Sequence, residues 1–161
     1  MNRGIADRVA VLDRTFREIA STRMQGVPVL NPAVRVEAVG FEDDGDEGAL
    51  GVLITPWFMN LVRLPLTDAA AAATPAPGRT RVRRIGEQRL DFIGNAEGRV
   101  GPFEACSLFS PMFEFADHEA ALVAACEVLG LLRPLPSVTV AQPARRRFLL
   151  GRGGERRTVT P

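Results

Sequence analysis

The sequence predicts an α+β protein in which an antiparallel β-sheet packs with an N-terminal and a C-terminal helix. Two observations predict this class. Apolar residues recur at steps of three and four in residues 4–24 and 118–132, and between these stretches they alternate or form short runs typical of strands. Because 161 residues is an ordinary length for one domain, we expect a single domain over residues 1–143. A flexible, basic tail rich in Arg and Gly is expected over residues 144–161.

The first helix is predicted from about Gly4 to Met24. It has an apolar face and a charged face, which favours a helix lying on a sheet. The apolar face consists of Ile5, Val9, Leu12, Phe16 and Ile19, and the charged face of Asp7, Arg8, Arg14, Arg17 and Glu18. Gly26, Pro28 and Pro32 end the helix.

The first predicted hairpin surrounds an acidic loop. From Val34 to Val39 the side chains alternate as expected for a strand with one buried face. Residues 42–47 are all acidic except Gly45, so we expect a solvated turn, because mutually repelling carboxylates resist burial. A calcium loop is the alternative, but the spacing lacks the closing Glu of an EF-hand. The largely apolar run Ala49–Thr55 is the return strand.

The middle of the chain predicts a further strand and a second hairpin. Residues 56–59 interrupt the return strand, and Leu61–Leu64 resumes it. Asp68 is predicted to cap a short turn over Ala69–Ala73. The prolines and glycine that follow indicate a loop, and the next residues form a basic cluster of Arg79, Arg81, Arg83 and Arg84. The second hairpin is predicted to pair residues 88–94 with residues 99–108 around a turn at residues 95–98.

The last predicted element is a helix that begins after Asp117. The dipeptide Ser110-Pro111 ends the preceding strand, and Asp117 is a favourable N-cap. The helix is predicted to run to about Leu132. Its buried side is expected to comprise Ala121, Leu122, Ala125, Val128, Leu129 and Leu132, with Cys126 on the same apolar face.

Composition excludes several classes of protein. The chain contains neither Lys nor Tyr, so a Schiff-base lysine and a Walker-type phosphate loop are both ruled out. A formal net charge of +1 gives no general attraction to nucleic acid or membrane. No apolar stretch is long enough to span a bilayer, and the charged N-terminal residues do not resemble a secretory signal. We therefore expect a cytoplasmic protein with no membrane insertion.

The side chains that carry chemistry are few. His118 is the single imidazole, and we expect it at the surface beside Asp117. With Cys106 and Cys126 it gives three ligands of the four that a structural zinc site needs. A Cys106–His118 nucleophile pair is conceivable, but no helix N-terminus or neighbouring base activates the thiol. The sequence therefore predicts no enzyme, no cofactor and no metal.

Large apolar residues gather instead at two strand ends. One group comprises Pro56, Trp57, Phe58 and Met59, and the other comprises Phe109, Pro111, Met112, Phe113 and Phe115. Tryptophan and methionine favour the centres of protein interfaces, yet both groups can equally close the ends of the core. The basic tail raises a second alternative, an RNA-binding or generic interaction domain with an RGG-like extension.

Three segments resemble one family. Residues 54–62 (ITPWFMNLV), 106–112 (CSLFSPM) and 145–152 (RRRFLLGR) are similar, in order and spacing, to the HybE/HupJ family of NiFe-hydrogenase assembly chaperones. The resemblance implies a non-enzymatic chaperone that assists cytoplasmic maturation of hydrogenase subunit precursors before export through the twin-arginine pathway. It implies large and small subunit precursors, the latter bearing the twin-arginine signal, as partners, and no nucleic acid.

The resemblance provides no catalytic residues to carry over, but motif position and residue type suggest contacts with a partner. Pro56, Trp57, Phe58 and Met59 are expected to be apolar anchors. Ser107, Ser110 and Pro111 would shape the neighbouring turn. Arg146 and Arg147 would meet acidic segments of a partner. Residues 145–150 also resemble a twin-arginine consensus, which is either chance similarity in a basic tail or mimicry of the client signal.

Overall fold

The structure is a computed structural model and describes residues 3–133. Its helices are α1 (Ile5–Ser21), α2 (Asp68–Ala72) and α3 (His118–Leu132). Its strands are β1 (Glu37–Asp43), β2 (Gly48–Ile54), β3 (Met59–Pro65), β4 (Thr80–Ile85), β5 (Gln88–Glu97) and β6 (Gly101–Phe109). The strands form one antiparallel sheet in the order β1-β2-β3-β6-β5-β4. The predicted fold class is confirmed.

Two hydrophobic cores lie on opposite faces of the sheet. Along β2, Leu50, Val52 and Ile54 belong to the core beneath α3, whereas Leu53 belongs to the core beneath α1. Neighbouring side chains of a strand point to opposite faces, and here both faces are covered, so every residue of β2 is buried. The apolar run in the sequence therefore marks a strand between two layers of helix.

The outer helices begin and end close to the predicted positions. The carboxylate of Asp117 accepts a hydrogen bond from the backbone N–H of Ala120 (2.9 Å), which confirms the predicted N-cap. Along α1 the buried stripe is Arg8, Leu12 and Phe16. Arg8 was expected on the charged outer face, and that expectation is wrong. Cys126 was expected on the apolar face of α3 and is exposed.

The first hairpin differs from the prediction in two ways. β1 begins at Glu37, because Val34 and Val36 are buried in different cores and do not form a strand. In the acidic turn, Asp44 is not simply solvated. Its carboxylate accepts a 2.6 Å hydrogen bond from Nε of the buried Arg63 and also accepts from the N–H of Gly48 (3.1 Å). Pairing with a buried cation is what draws one acid of this loop inward.

The second half of the sheet contains a strand that was not predicted. Three arginines of the expected basic cluster, Arg81, Arg83 and Arg84, lie in β4, which pairs with β5. β5 continues to Glu97, so the β5–β6 turn falls at residues 98–100. The predicted turn at residues 95–98 is therefore wrong.

The short turn that was expected to be capped by Asp68 is α2. Its cap is Thr67, whose hydroxyl accepts a hydrogen bond from the N–H of Ala70 at 3.0 Å.

A buried ion cluster joins β3, β4 and β6. The carboxylate of Glu104 is completely buried and accepts hydrogen bonds from Arg83 (2.8 Å to each oxygen) and Arg81 (3.0 Å). Arg63 adds a third guanidinium at 3.7 Å. Burial alone would raise the pKa of Glu104, but the hydrogen bonds and charges of Arg83 and Arg81 outweigh it and hold that pKa below its ordinary value.

None of the helices within residues 3–133 has the length and apolar character needed to cross a membrane.

Candidate partner-binding site

The fold brings two of the three motif segments to the same end of the sheet. β3 begins at Met59 and β6 ends at Phe109, and these two residues are partners across the β3–β6 ladder. Since the strands are antiparallel, the turn that precedes β3 and the segment that follows β6 lie side by side. The aromatic turn at residues 55–58 and the Ser110-Pro111 segment therefore border one region of surface.

A single hydroxyl organises the aromatic turn. Thr55 is completely buried, and its Oγ1 accepts hydrogen bonds from the backbone N–H groups of Trp57 (3.2 Å) and Phe58 (2.9 Å). The backbone N–H of Thr55 donates to the carbonyl of Phe58 (2.8 Å) and closes the turn. Side-chain-to-backbone bonds of this kind hold a tight turn in one conformation. They fix the direction in which both aromatic side chains leave the backbone.

Asn31 joins the aromatic turn to the segment that follows β6. Its buried side-chain amide donates to the carbonyls of Met112 and Phe115, each at 2.9 Å, and its backbone N–H donates to the carbonyl of Pro56 at 2.9 Å. The prediction from sequence missed this residue. Its one local signal was an Asn before Pro32, which is typical of a turn and says nothing of distant partners.

The aromatic turn packs on the C-terminal half of α1. The ring of Phe16 lies 6.5 Å from that of Trp57, 5.9 Å from Phe58 and 6.4 Å from Phe103, the last two in edge-to-face arrangements. Such contacts stabilise an aromatic cluster beyond simple burial. Phe16 is buried, whereas Trp57 and Phe58 are half-buried. Each of these two side chains thus has one side packed in the core and one side exposed to solvent.

A groove of about 260 Å³ opens beside this cluster, between the end of α1 and the sheet face. We call it the aromatic groove. It is lined by Phe16, Ile19, Arg23, Met24, Leu53, Trp57, Phe58, Asn60, Val62, Asn95, Glu97, Phe103 and Ala105. The charges at its edge compensate each other, because Arg23 pairs with Glu97 at 2.8 Å. The groove is thus largely apolar, with one ion pair.

The predicted contact residues fall into three groups. Trp57 and Phe58 line the aromatic groove, and Pro56 is half-buried in the same turn. Ser107, Ser110 and Pro111 are exposed. Ser107 is the partner of Asn60 across β3 and β6, so its side chain shares the groove face of the sheet.

The remaining predicted contacts are not on this surface. Met59 has no exposed surface and belongs to the core beneath α3, so it cannot serve as an anchor on the folded chain. Arg146 and Arg147 lie outside the described residues, as does the twin-arginine-like run at residues 145–150. In the second apolar group, Met112 and Phe115 are buried, while Phe113 is 59% exposed.

His118 is a structural residue. It is buried, contrary to the expectation of a surface histidine. Its Nδ1 accepts a hydrogen bond from the backbone N–H of Arg35 (3.2 Å), so Nε2 carries the proton and donates to Glu37 (2.8 Å). With both ring nitrogens engaged, the imidazole has none left to activate a thiol.

The environment of Cys106 does not activate its thiol. Burial, assisted by the nearby charge of Asp91, raises the pKa of the Cys106 thiol, which lowers the fraction of reactive thiolate. Within the described part of the chain, no three His, Cys, Asp or Glu side chains are grouped so as to hold a metal ion.

Fold and site together define an α+β protein with one antiparallel sheet and a groove beside an aromatic cluster at one end of it. Comparison with known proteins identifies the class: the model of the family "[NiFe]-hydrogenase assembly, chaperone, HybE" matches residues 7–152. The chain belongs to this family, and its role is that of a chaperone in hydrogenase maturation.

Individual relatives agree with this assignment. The chain is 47% identical to Protein HoxT of Cupriavidus necator over 160 residues, which cover 91% of this chain and 89% of that protein. It is 40% identical to the hydrogenase expression/formation protein HupJ of Bradyrhizobium diazoefficiens, with 94% of each chain covered. The solution structure of HybE from Escherichia coli has the same fold (TM-score 0.61, 21% identity), with 92% of this chain and 91% of that chain covered.

Proposed function

We propose that the aromatic groove holds an apolar segment of a [NiFe]-hydrogenase subunit precursor, in the cytoplasm and before twin-arginine export. One observation carries this proposal. Trp57 and Phe58 stay partly exposed although the hydrogen bonds of Thr55 fix their backbone and their rings pack on Phe16. Half-exposed aromatic side chains, which have few rotatable bonds, lose little conformational entropy on binding, so they are effective anchors in a protein interface.

The partners we propose are the large and small subunit precursors, the latter carrying the twin-arginine signal. Family membership supports a hydrogenase client over the RNA-binding alternative, which depends on the basic tail. The family match extends to residue 152 and so includes the arginine-rich segment. Arg146 and Arg147 would contribute charge-assisted contacts to acidic parts of the client.

We further propose that the protein acts without catalysing a reaction. The occupied nitrogens of His118 and the raised pKa of Cys106 support this. Replacing Cys106 with serine should therefore leave hydrogenase maturation unchanged. Loss of maturation in that variant would contradict the proposal.

The groove is tested by co-purification of the full chain with each hydrogenase precursor. Trp57→Ala should reduce capture of the precursor at least tenfold, a loss of about 1.4 kcal/mol in binding free energy. Leu131→Ala is the matched control, since Leu131 is a large apolar residue, 85% exposed on α3 and outside the groove. Equal capture by Trp57→Ala and wild type would overturn the assignment of the groove.

Thermal unfolding separates loss of binding from loss of folding. Trp57 is half-buried, with ring contacts to Phe16 and Phe58, so its truncation should cost clearly less than the roughly 3–5 kcal/mol of a fully buried aromatic residue. A collapse of the melting temperature in step with the loss of capture would show that Trp57 acts as a core residue and not as an anchor.

A further inference from the structure

A second cavity lies at the opposite end of α1 from the aromatic groove. Its volume is about 570 Å³. Three arginines line it, Arg3, Arg8 and Arg99, together with one acid, Asp7. The other walls are largely apolar and include Val11 and Pro102. The cavity therefore combines an excess of positive charge with hydrocarbon surface.

Arg8 is the unusual member of this set, because it is buried without an acidic partner among the described residues. Arg8 is buried, with 5% of its surface exposed. Nε donates to the carbonyl of Pro65 (3.1 Å) and Nη1 to the carbonyl of Val100 (2.9 Å), both of them neutral acceptors. Nη2 has no hydrogen-bond partner within residues 3–133.

The burial of the Arg8 guanidinium without an acidic partner is electrostatically unfavourable. Burial, with a further contribution from the charge of Arg3, lowers the pKa of Arg8. Buried cations in proteins are normally paired with an acid or bind an anion, since the loss of hydration is otherwise uncompensated. The contrast with Arg63 is direct, because that buried arginine pairs with Asp44 at 2.6 Å.

The start of α1 adds to the positive potential. Its N-cap is Gly4, which supplies no side-chain hydrogen bond to the first turn. The unpaired N–H groups at a helix N-terminus and the helix dipole both favour a negative group. Gly4 lines the same cavity, as does Asp7, whose carboxylate in the first turn offsets part of this positive potential.

We propose that this cavity binds a carboxylate on an acidic segment of a partner protein, with Arg8 and Arg99 as the cationic contacts, since Arg3 already donates to Asp68 at 3.1 Å. A guanidinium matches a carboxylate through paired N–H donors. The apolar walls suit the aliphatic part of an Asp or Glu side chain better than a fully hydrated phosphate. The site is distinct from the aromatic groove, because Arg8 and Phe16, which line the two sites, are separated by roughly 12 Å of helix along α1.

The test uses butyrate as a carboxylate probe, with the full chain followed by NMR. Butyrate should produce saturable shifts in the amide signals of Val100 and Gly101, whereas butyramide, which has the same shape without the charge, should not. Arg99→Gln should weaken butyrate binding at least tenfold. Arg89→Gln removes the same charge from an exposed position on β5 outside the cavity and should change binding less than twofold. Arg8 itself is left intact, because its removal would free two backbone carbonyls and threaten the fold.

Three results would overturn the proposal. One is the absence of saturable shifts with butyrate. Another is an equal loss in Arg99→Gln and Arg89→Gln, which would indicate general charge attraction. The third is tighter binding of inorganic phosphate than of butyrate, which would assign the cavity to phosphate groups. None of these results affects the test of precursor capture with Trp57→Ala, so either proposal can fail while the other stands.

Discussion

At the scale of single residues, the hydroxyl of Thr55 determines the conformation of the aromatic turn. It supplies the acceptor for two consecutive backbone N–H groups in a turn that would otherwise leave them unpaired. The conformation of this turn determines the direction in which the side chains of Trp57 and Phe58 leave the backbone. The geometry of the aromatic groove thus depends on one oxygen atom that does not itself face the groove.

Thr55→Val should therefore damage stability and capture together. It keeps the shape of the side chain but leaves the buried N–H groups of Trp57 and Phe58 without an acceptor, at a cost of about 1–3 kcal/mol. Chemical denaturation measures the loss in free energy of unfolding. Thr55→Ser keeps the hydroxyl and should recover most precursor capture. If both variants capture the precursor equally poorly, the methyl group and not the hydroxyl is the important feature.

Glu104 provides a residue-scale test with a defined pH dependence. Its pKa is lowered in the folded state, so its ionisation stabilises the fold above the unfolded pKa, near 4.5, and this stabilisation disappears as the pH falls through the lower folded value. Glu104→Gln removes the acid that Arg81 and Arg83 share and should cost about 3 kcal/mol or more at neutral pH. The difference from wild type should shrink as the pH falls below about 4.5.

Glu87→Gln is the control for this experiment. Glu87 is 93% exposed and lies 3.9 Å from Arg84, an arrangement that contributes little to stability. Its replacement should change the free energy of unfolding by less than about 0.5 kcal/mol. Equal effects of the two substitutions would show that the burial of Glu104 has no energetic importance.

At the scale of elements, local patterns predicted α1, α3 and the hairpin β1–β2, because their signals lie within each segment. β4 was missed for a physical reason. The inward face of β4 consists of Arg81, Arg83 and Ile85, so two of its three side chains are charged. A local pattern does not identify a buried face made largely of arginine until the acid that pairs with it is known. That partner, Glu104, lies more than 20 residues away. His118 was misplaced in the same way, because its partners are on a distant segment at residues 35–37.

At the scale of elements, two glycine substitutions test the close contact between β5 and the backbone of residues 75–76. A Cβ at Gly94 would lie 2.1 Å from the carbonyl oxygen of Pro75, a backbone atom that cannot easily move. Gly94→Ala should therefore destabilise the protein by about 1–3 kcal/mol. Gly130 lies in α3 with open space around it, so Gly130→Ala should stabilise by roughly 1 kcal/mol through helix propensity. Thermal unfolding of the two variants should show shifts of opposite sign; shifts of the same sign would contradict the contact at Gly94.

At the scale of the whole molecule, the sequence predicted that aromatic residues gather at this strand end but not how the surface around them is assembled. The aromatic residues were identified by type, and family resemblance supported them. The groove combines the C-terminal end of α1 with β3, β5 and β6, and Asn31 hydrogen-bonds to two loops beside it, and neither arrangement is a local property. Met59, similar in type to its neighbours, is buried because it is the first residue of β3, at a position that faces α3.

The proposed division of the chain at residue 143 is tested by truncation. A chain ending at residue 143 should unfold cooperatively, with a free energy of unfolding within about 0.5 kcal/mol of the full chain, if the tail makes no contribution to the core. A larger loss would move the boundary of the domain into the tail. Precursor capture by the same truncated chain reports separately on Arg146 and Arg147.

The β3–β6 junction has a consequence for the timing of synthesis. Each half of the sheet is a three-stranded meander of neighbouring segments, β1–β3 and β4–β6, which form by short-range pairing. Within the described part of the chain, the two halves pair along β3 and β6, whose facing ends, Met59 and Phe109, are far apart in the sequence. Contacts of long sequence separation carry a loop-closure cost and are slow to form. The aromatic groove takes part of its wall, Phe103 and Ala105, from β6. A chain emerging from the ribosome therefore cannot complete this groove until β6 has been synthesised.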